Sequence, residues 1–174
     1  MSETAAISTE NLPETEDAIQ MVGFILGGEL FGVDILMVQE ILKQIPVTSI
    51  PDAPDFIEGV VNLRGNIIPV IDLQKRLNMP GARRKETEAQ PWTIILNIGG
   101  RVTGFLVDRV TRVMKIPSSA IQPPPDMVVS AMKSQYISGI CRLDAQVMAV
   151  LDFNRILVID EFKRLGALKR QEFK

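Results

Sequence analysis

Residues 56–77, FIEGVVNLRGNIIPVIDLQKRL, recur farther along the chain as residues 136–157, YISGICRLDAQVMAVLDFNRIL. The two segments align without a gap at a constant offset of 80 positions (139 − 59 = 80). Seven of the sixteen differences between them exchange one hydrophobic residue for another, such as Ile67 for Val147 and Ile71 for Leu151. The residues that recur unchanged include Ile57, Gly59, Leu63, Val70, Asp72 and Leu77, which return as Ile137, Gly139, Leu143, Val150, Asp152 and Leu157.

A second repeated pattern lies upstream of each of these segments. Residues 27–32, GGELFG, match residues 99–104, GGRVTG, at an offset of 72 positions (100 − 28 = 72). The chain is therefore built from two units in the order A-B-A′-B′. A duplicated unit of this size usually forms two similar lobes that bury their apolar faces against each other.

The two copies differ most sharply at one predicted turn. Arg64-Gly65 in the first copy is replaced by Asp144-Ala145 in the second, while the flanking apolar positions are kept. A feature present in both copies is best explained by architecture, and a feature present in one copy by function. The turn at Arg64 is therefore the strongest candidate for a functional position that the residues alone offer.

Two glycines and two aspartates recur in both copies and are predicted to be structural. Gly59 and Gly139 each precede a strand, where glycine marks a positive φ or a close approach of two backbones. Asp72 and Asp152 each precede a short helical segment, and aspartate is a preferred N-cap residue. We expect these four residues to shape both lobes rather than to contact a partner.

Composition limits the classes of function. The chain has 174 residues, 46% of them hydrophobic, and a formal net charge of −2. That charge argues against a surface for nucleic acid or anionic lipid, which needs a basic excess. The acidic N-terminus lacks the apolar core of a signal peptide, and no run approaches the roughly 20 apolar residues that span a bilayer. We expect a cytoplasmic protein with no direct membrane insertion.

Residue types that carry much of enzyme chemistry are scarce. The sequence has no histidine and one cysteine, Cys141. Histidine is the commonest acid–base group near neutral pH and the commonest metal ligand. Zinc sites and nucleophiles activated by histidine are therefore excluded, and no metal, cofactor or disulfide is expected. A single cysteine also fits a reducing compartment.

Short apolar runs broken by glycine and proline predict an all-β protein with few, short helices. Two small five-stranded β-barrel lobes of the SH3-like or OB-like kind fit this pattern, whereas a parallel α/β fold would need long crossover helices. The predicted segments are a disordered N-terminal tail (1–19), a two-lobed domain (20–159) with lobe one at 20–80, a linker at 80–91 and lobe two at 92–158, and a C-terminal helix or tail (160–174).

Five motifs in the first half carry a resemblance to a known family. From about Gln20 to Ile159 the chain resembles the CheW family, the adaptor (coupling) proteins of bacterial chemotaxis. The NLRG turn followed at once by IIPVIDL is specific at this spacing. The motifs are Val38-Gln39-Glu40-Ile41, Ile50-Pro51-Asp52-Ala53-Pro54, Ile57-Glu58-Gly59-Val60, Asn62-Leu63-Arg64-Gly65 and Ile68-Pro69-Val70-Ile71-Asp72-Leu73.

The resemblance implies a fold and a role. The expected fold is two five-stranded β-barrel lobes packed over a hydrophobic seam. The expected role is a non-enzymatic one, bridging transmembrane chemoreceptors to the histidine kinase CheA at receptor arrays. In the family the cytoplasmic tip of the receptor docks in a groove near the seam, and the regulatory domain of the kinase pairs lobe to lobe with the adaptor.

The resemblance also implies a receptor-binding set, which comprises Val38, Glu40, Arg64 and Gly65. Physical reasoning leaves alternatives open for each side chain. Arg64 can instead pair within the chain, with Glu40, with Glu58 or with backbone carbonyls, because its guanidinium fork suits a carboxylate. Val38 can belong to the core, and Glu40 can be a solvated carboxylate. Residues that contact the kinase are not assigned.

Two other classes of function compete with the adaptor. An OB-like barrel can bind single-stranded nucleic acid, but that requires a basic groove with stacking aromatic residues. Aromatic residues make up 5% of this chain. A hydrolase can use paired carboxylates without histidine, but no such pair stands out in this sequence. An apolar groove rimmed by Arg64 would favour the adaptor over both.

Overall fold

The computed structural model describes residues 17–43, 45–79, 90–124 and 136–157. Within them the chain is almost entirely β-structure, so the predicted all-β class is confirmed. The strands are β1 (Ala18–Leu26), β2 (Glu29–Asp34), β3 (Val38–Lys43), β4 (Ile57–Leu63), β5 (Asn66–Asp72), β6 (Trp92–Ile98), β7 (Arg101–Val107), β8 (Arg109–Pro117), β9 (Ile121–Gln122), β10 (Ile137–Leu143) and β11 (Gln146–Leu151), and single helical turns form α1 (Leu73–Arg76) and α2 (Phe153–Ile156).

The repeated Gly-Gly pairs form the turns of two matching hairpins. Gly27 and Gly28 join β1 to β2 with φ of 57° and 83°, and Gly99 and Gly100 join β6 to β7 with φ of 58° and 89°. Two successive residues with positive φ match the twist of a two-residue hairpin, and glycine adopts that conformation at little cost. The A pattern of the sequence is therefore a tight hairpin in each copy.

The strands form two sheets, which define two lobes. The six-stranded lobe has the order β8-β1-β2-β11-β10-β9, and the five-stranded lobe has the order β3-β6-β7-β5-β4. The prediction of two β-lobes is confirmed. The sixth strand is the two-residue β9, and its counterpart in the five-stranded lobe is an isolated bridge between Thr48 and Val60.

The lobes divide the chain differently from the predicted boundaries of 20–80 and 92–158. The five-stranded lobe is one continuous stretch from β3 to β7, inserted between β2 and β8 of the six-stranded lobe. The predicted linker 80–91 connects β5 to β6 inside one sheet, and its residues 80–89 lie outside the described residues. Two parallel pairings cause this arrangement, β2 with β11 and β5 with β7. Local sequence patterns carry no information about such long-range pairings.

The ends of the chain add two further comparisons with the prediction. β1 begins at Ala18, which is paired with Pro117, so regular structure starts two residues before the predicted domain start at 20. Residues 1–16 of the predicted tail and the predicted C-terminal helix at 160–174 lie outside the described residues.

The two lobes repeat each other in register as well as in sequence. Gly32 is aligned with Val150 where β2 meets β11, and Gly104 is aligned with Val70 where β7 meets β5. In each pair the glycine is the last residue of the A pattern and the valine is the one that recurs in the B pattern. Each lobe therefore combines the A hairpin of one copy with the B hairpin of the other.

The core consists of one cluster inside each lobe and a third cluster between the lobes. Successive residues of the central strands point alternately to the lobe interior and to the seam, as the two-residue period of a strand requires. In β6, for example, Ile95 packs inside the five-stranded lobe while Ile94 and Leu96 pack in the seam. The seam cluster contains Val22, Phe24, Leu26, Phe31, Val33, Ile71, Leu73, Leu77, Ile94, Leu96, Ile98, Phe105, Val107, Tyr136, Ile137, Leu151, Phe153, Ile156 and Leu157.

Candidate functional site

The turn between β4 and β5 carries Arg64, the side chain at which the two copies of the repeat differ most sharply. Arg64 and Gly65 are its two central residues, with φ of 54° and 85°. The side chain of Asn62 accepts a hydrogen bond from Gly65 N–H, with 3.0 Å between N and Oδ1. The backbone of the turn is thus tied down, while Arg64 itself is exposed. A Cβ added to Gly65 would meet nothing within 4 Å, so the space beside the arginine is open.

The second part of the site is β3, an edge strand with a bulge. Val38 is aligned with Leu96 but Glu40 is aligned with Ile95, so Gln39 is an extra residue on this strand. A bulge re-aims the side chains around it. Val38 is half-buried and packs against the seam cluster, which agrees with the core alternative for this residue.

Arg64 and Glu40 form a two-point ion pair. Nη1 and Nη2 of Arg64 donate to Oε1 and Oε2 of Glu40 over 2.6 and 2.8 Å. The Arg64 side chain is 70% exposed and the Glu40 side chain 26% exposed. Of the two carboxylates considered from the sequence, Glu40 and not Glu58 is the partner in this arrangement. The pair lies at the surface, so salt will screen it more than a buried pair.

The pair connects opposite edges of the same sheet. β3 is at one end of the strand order and β4 at the other, and the β4–β5 turn carries Arg64. The hydrogen bonds from Arg64 hold the pKa of Glu40 below its ordinary value, with a smaller opposing effect from burial. The same bonds raise the pKa of Arg64. Both groups are therefore charged at neutral pH.

The equivalent positions of the six-stranded lobe carry the opposite charges. Arg112 on β8 stands where β3 has Glu40, and Asp144 in the β10–β11 turn stands where the other turn has Arg64. Both side chains are exposed, and within the described part of the chain no ion pair joins them. The two-point pair between turn and edge strand thus belongs to one lobe.

Gly59 and Gly139 lie where a neighbouring segment approaches the strand closely. A Cβ on Gly59 would stand 2.1 Å from the carbonyl oxygen of Thr48, and a Cβ on Gly139 would stand 2.5 Å from Cγ2 of Ile121. Both glycines also sit at a register shift, one between β4 and β5 and the other between β10 and β11. At each of the two positions a side chain would overlap a neighbouring segment.

Asp72 and Asp152 are the N-cap residues of α1 and α2. Asp72 Oδ1 accepts from Lys75 N–H, and Asp152 Oδ1 accepts from the N–H groups of Asn154 and Arg155. The backbone N–H of each aspartate also donates to the residue that precedes the B hairpin, Phe56 O or Tyr136 O.

Asn62 is a site residue whose role sequence reasoning missed. Its side chain fixes the Arg64 turn by accepting from Gly65 N–H. A signal was available, because Asn97 has the same spacing to Gly100 and makes the same bond at 2.8 Å in the β6–β7 turn. The shared Asn-x-x-Gly spacing could have predicted this contact.

The described residues offer neither a cluster of metal ligands nor a helix that could span a membrane. No group of three or more His, Cys, Asp or Glu side chains within them could hold a metal ion. None of the helices within them is long and apolar enough to cross a bilayer.

The fold and the site define a two-lobed all-β protein in which one lobe presents an exposed arginine–glutamate pair at its edge. The family model of the CheW-like domain matches residues 20–161 of the chain. The chain therefore belongs to the CheW family, and the resemblance identified from its motifs is confirmed.

Curated relatives and a solved structure extend this comparison. The chain is 36% identical to the chemotaxis protein CheW of Treponema pallidum over 154 residues, which are 88% of this chain and 90% of that protein. It is 38% identical to the chemotaxis protein CheW of Klebsiella aerogenes over 138 residues, 79% of this chain and 81% of that one. The crystal structure of the scaffolding protein TtCheW from Thermoanaerobacter tengcongensis matches with a TM-score of 0.74 at 36% identity, covering 83% of this chain and 96% of that chain.

Proposed function

We propose that this chain is a non-enzymatic cytoplasmic adaptor that couples transmembrane chemoreceptors to a CheA-type histidine kinase in bacterial chemotaxis. Its curated relatives carry the name chemotaxis protein, and a solved relative is described as a scaffolding protein. The observation that carries the proposal is the exposed Arg64–Glu40 pair, which one of two similar lobes presents.

The two-lobed architecture suits a protein that holds two partners at once. The lobes share strand order and register yet differ in charge at equivalent edges, so each can offer a distinct surface from the same framework. A surface of one charge favours a partner of the opposite charge and disfavours a partner of the same charge. The receptor tip would use the edge with Arg64, and the kinase regulatory domain would pair with a lobe end whose residues are not yet assigned.

Arg64 is suited to recognise a carboxylate on the receptor. Its side chain is 70% exposed although two of its nitrogens bond Glu40. Beside it, a Cβ added to Gly65 would meet nothing within 4 Å, so the turn leaves open space next to the arginine. Glu40 holds the guanidinium in one orientation, which reduces the entropy lost on binding. In this proposal Gly65 provides access, and Val38 supports β3 from the seam side.

Reconstitution of the three components tests the function. Receptor-containing membranes, a CheA-type kinase and this protein would be mixed with ATP, and kinase autophosphorylation would be measured. The proposed adaptor stimulates the kinase when receptor is present and has no effect on it alone. Arg64→Ala should abolish the stimulation, while Arg142→Ala, which removes an exposed arginine of β10, should retain it. Equal stimulation with and without this protein would refute the proposal.

A further inference from the structure

Arg76 of α1 reaches from the five-stranded lobe to the six-stranded lobe. Its Nε donates to the carbonyl oxygen of Ile156 over 2.9 Å, and its Nη1 donates to the hydroxyl oxygen of Tyr136 over 2.7 Å. Ile156 belongs to α2, and Tyr136 directly precedes β10, so both partners are in the other lobe. One side chain therefore makes two directional contacts across the seam.

The same guanidinium is also in contact with one aromatic ring from each lobe. Its carbon Cζ lies 5.1 Å from the ring centroid of Phe56 and 4.9 Å from that of Tyr136. Both distances are within the range of a cation–π interaction. Phe56 and Tyr136 are equivalent residues of the B repeat, since they are 80 positions apart. Arg76 thus stands where the two halves of the repeat face each other.

The contacts of Arg76 are not repeated at the equivalent position of the second copy. The residue equivalent to Arg76 is Ile156, whose side chain is buried in the seam and whose carbonyl oxygen Arg76 binds. An isoleucine side chain cannot return such a hydrogen bond. Like Arg64, Arg76 breaks the internal symmetry, but it does so at the junction between the lobes instead of at an outer edge.

A second polar junction also involves α1, through Gln74. Asp108, between β7 and β8, accepts from Gln74 Nε2 and from Gly27 N–H, each over 2.8 Å. Its own N–H donates to Ile25 O over 3.0 Å. The chain crosses between lobes here, so this point is fixed by covalent connection as well. Because Gln74 and Arg76 both belong to α1, this helical turn is tied to the six-stranded lobe at two points, through Asp108 and directly through Arg76.

The apolar seam restricts the angle between the lobes less sharply than directional bonds do. Burial of apolar surface is non-directional, whereas hydrogen bonds require alignment of donor and acceptor. We propose that Arg76 is a positioning residue that fixes the angle between the two lobes, and with it the relative placement of the receptor and the kinase. The second half of this statement rests on the proposed adaptor function, and the first half does not.

Residual dipolar couplings of backbone amides, measured separately for each lobe, test the first half. Arg76→Met keeps the aliphatic stem but removes both donors and the charge, and Arg76→Lys keeps the charge and one donor group. The control is Arg155→Met, because Arg155 is an exposed arginine of α2 that pairs with Asp152 of its own helical turn. We expect Arg76→Met to rotate one alignment frame relative to the other, Arg76→Lys to rotate it less, and Arg155→Met to leave it unchanged. An unchanged angle in folded Arg76→Met would overturn the proposal.

Coupling and single-partner binding test the second half on the same variants. We expect Arg76→Met to bind isolated receptor fragment and isolated kinase as the wild type does, yet to lose most of the receptor-dependent kinase stimulation, with Arg76→Lys restoring part of it. Full stimulation by a variant whose lobes have rotated would overturn the positioning role. If the wild-type protein itself gives no stimulation, the adaptor function fails, and the dipolar couplings still decide whether Arg76 sets the angle.

Discussion

Arg64 and Glu40 join the two edges of the five-stranded sheet, and their counterparts Asp144 and Arg112 have exchanged the two charges. A lobe with the reversed residues has the same strand order and the same hairpins. The framework therefore does not depend on this pair, and the charge arrangement is free to serve recognition.

Arg64→Ala should remove receptor coupling and leave the fold intact. The side chain is largely exposed, and exposed ion pairs contribute little to stability. We expect a melting temperature close to that of the wild type together with loss of binding to the receptor tip, measured on the same preparation. Glu40→Gln should weaken binding less, because the guanidinium stays in place but loses its fixed orientation. A large fall in melting temperature with binding retained in the folded fraction would make Arg64 a structural residue.

The pH dependence of the pair follows from the lowered pKa of Glu40. A carboxyl group whose pKa is lower in the folded state stabilises the fold above its unfolded pKa, near the ordinary 4.5. That contribution is lost as pH falls through the folded value. The difference in stability between wild type and Arg64→Ala should therefore shrink below about pH 4.5. An NMR titration of the Glu40 carboxyl should give a lower midpoint in the wild type than in Arg64→Ala, and equal midpoints would contradict the pair in solution.

Gly59→Ala should be strongly destabilising because of steric overlap. The new Cβ would stand 2.1 Å from Thr48 O, a backbone atom that forms the bridge to Val60. We expect a loss of at least about 3 kcal/mol in the free energy of unfolding, at the upper end of overpacking costs. Gly28→Ala is the matched control, since its φ is +83° but nothing lies within 4 Å; it should cost about 1 kcal/mol from backbone conformation alone. Urea denaturation measures both, and similar values for the two variants would count against close packing at Gly59.

Cys141 should be unreactive in the folded protein. Its side chain is fully buried within the six-stranded lobe, and burial raises the pKa of its thiol. Because the thiolate is the reacting form, Ellman's reagent at pH 8 should label it slowly without denaturant and rapidly in urea. Leu36→Cys in a Cys141→Ala background provides the exposed control, as Leu36 is 89% exposed. Equal rates for the two thiols in the native state would show that the lobe opens readily.

Local features of the sequence were sufficient to predict the hairpins and the repeat. The offsets of 72 and 80 positions correspond to structurally equivalent strands, because they place Gly32 with Val150 and Gly104 with Val70 in the same register. Lobe boundaries could not be predicted in this way. They depend on parallel pairing between strands that are far apart in the chain, and the apolar alternation of a strand does not identify its neighbour.

The candidate site shows a similar limit. The broken symmetry at Arg64 was visible in the sequence, but its partner was not, because Glu40 and Glu58 were equally plausible carboxylates. The choice depends on the closeness of two edges of one sheet, 24 positions apart in sequence. The alignment of the two copies places Arg76 opposite Ile156, but a basic residue in the last turn of a helix is ordinary, so this difference alone did not indicate a contact between the lobes. The importance of Arg76 appears only when Phe56 and Tyr136 are seen on either side of it.

The sequence of the five-stranded lobe is inserted within that of the six-stranded lobe, and this affects the order in which the two lobes fold. The strands of the five-stranded lobe are contiguous, whereas Leu30 of β2 is aligned with Met148 of β11, 118 positions later (148 − 30 = 118). Closing so long a loop costs more entropy and slows the contact. During synthesis, the β1–β2 hairpin would emerge first but could not complete its lobe until β11 is made. The five-stranded lobe would close in the meantime, and the apolar faces of the hairpin would stay accessible to chaperones. Pulsed hydrogen exchange during refolding should accordingly protect β6 and β7 before β1 and β2.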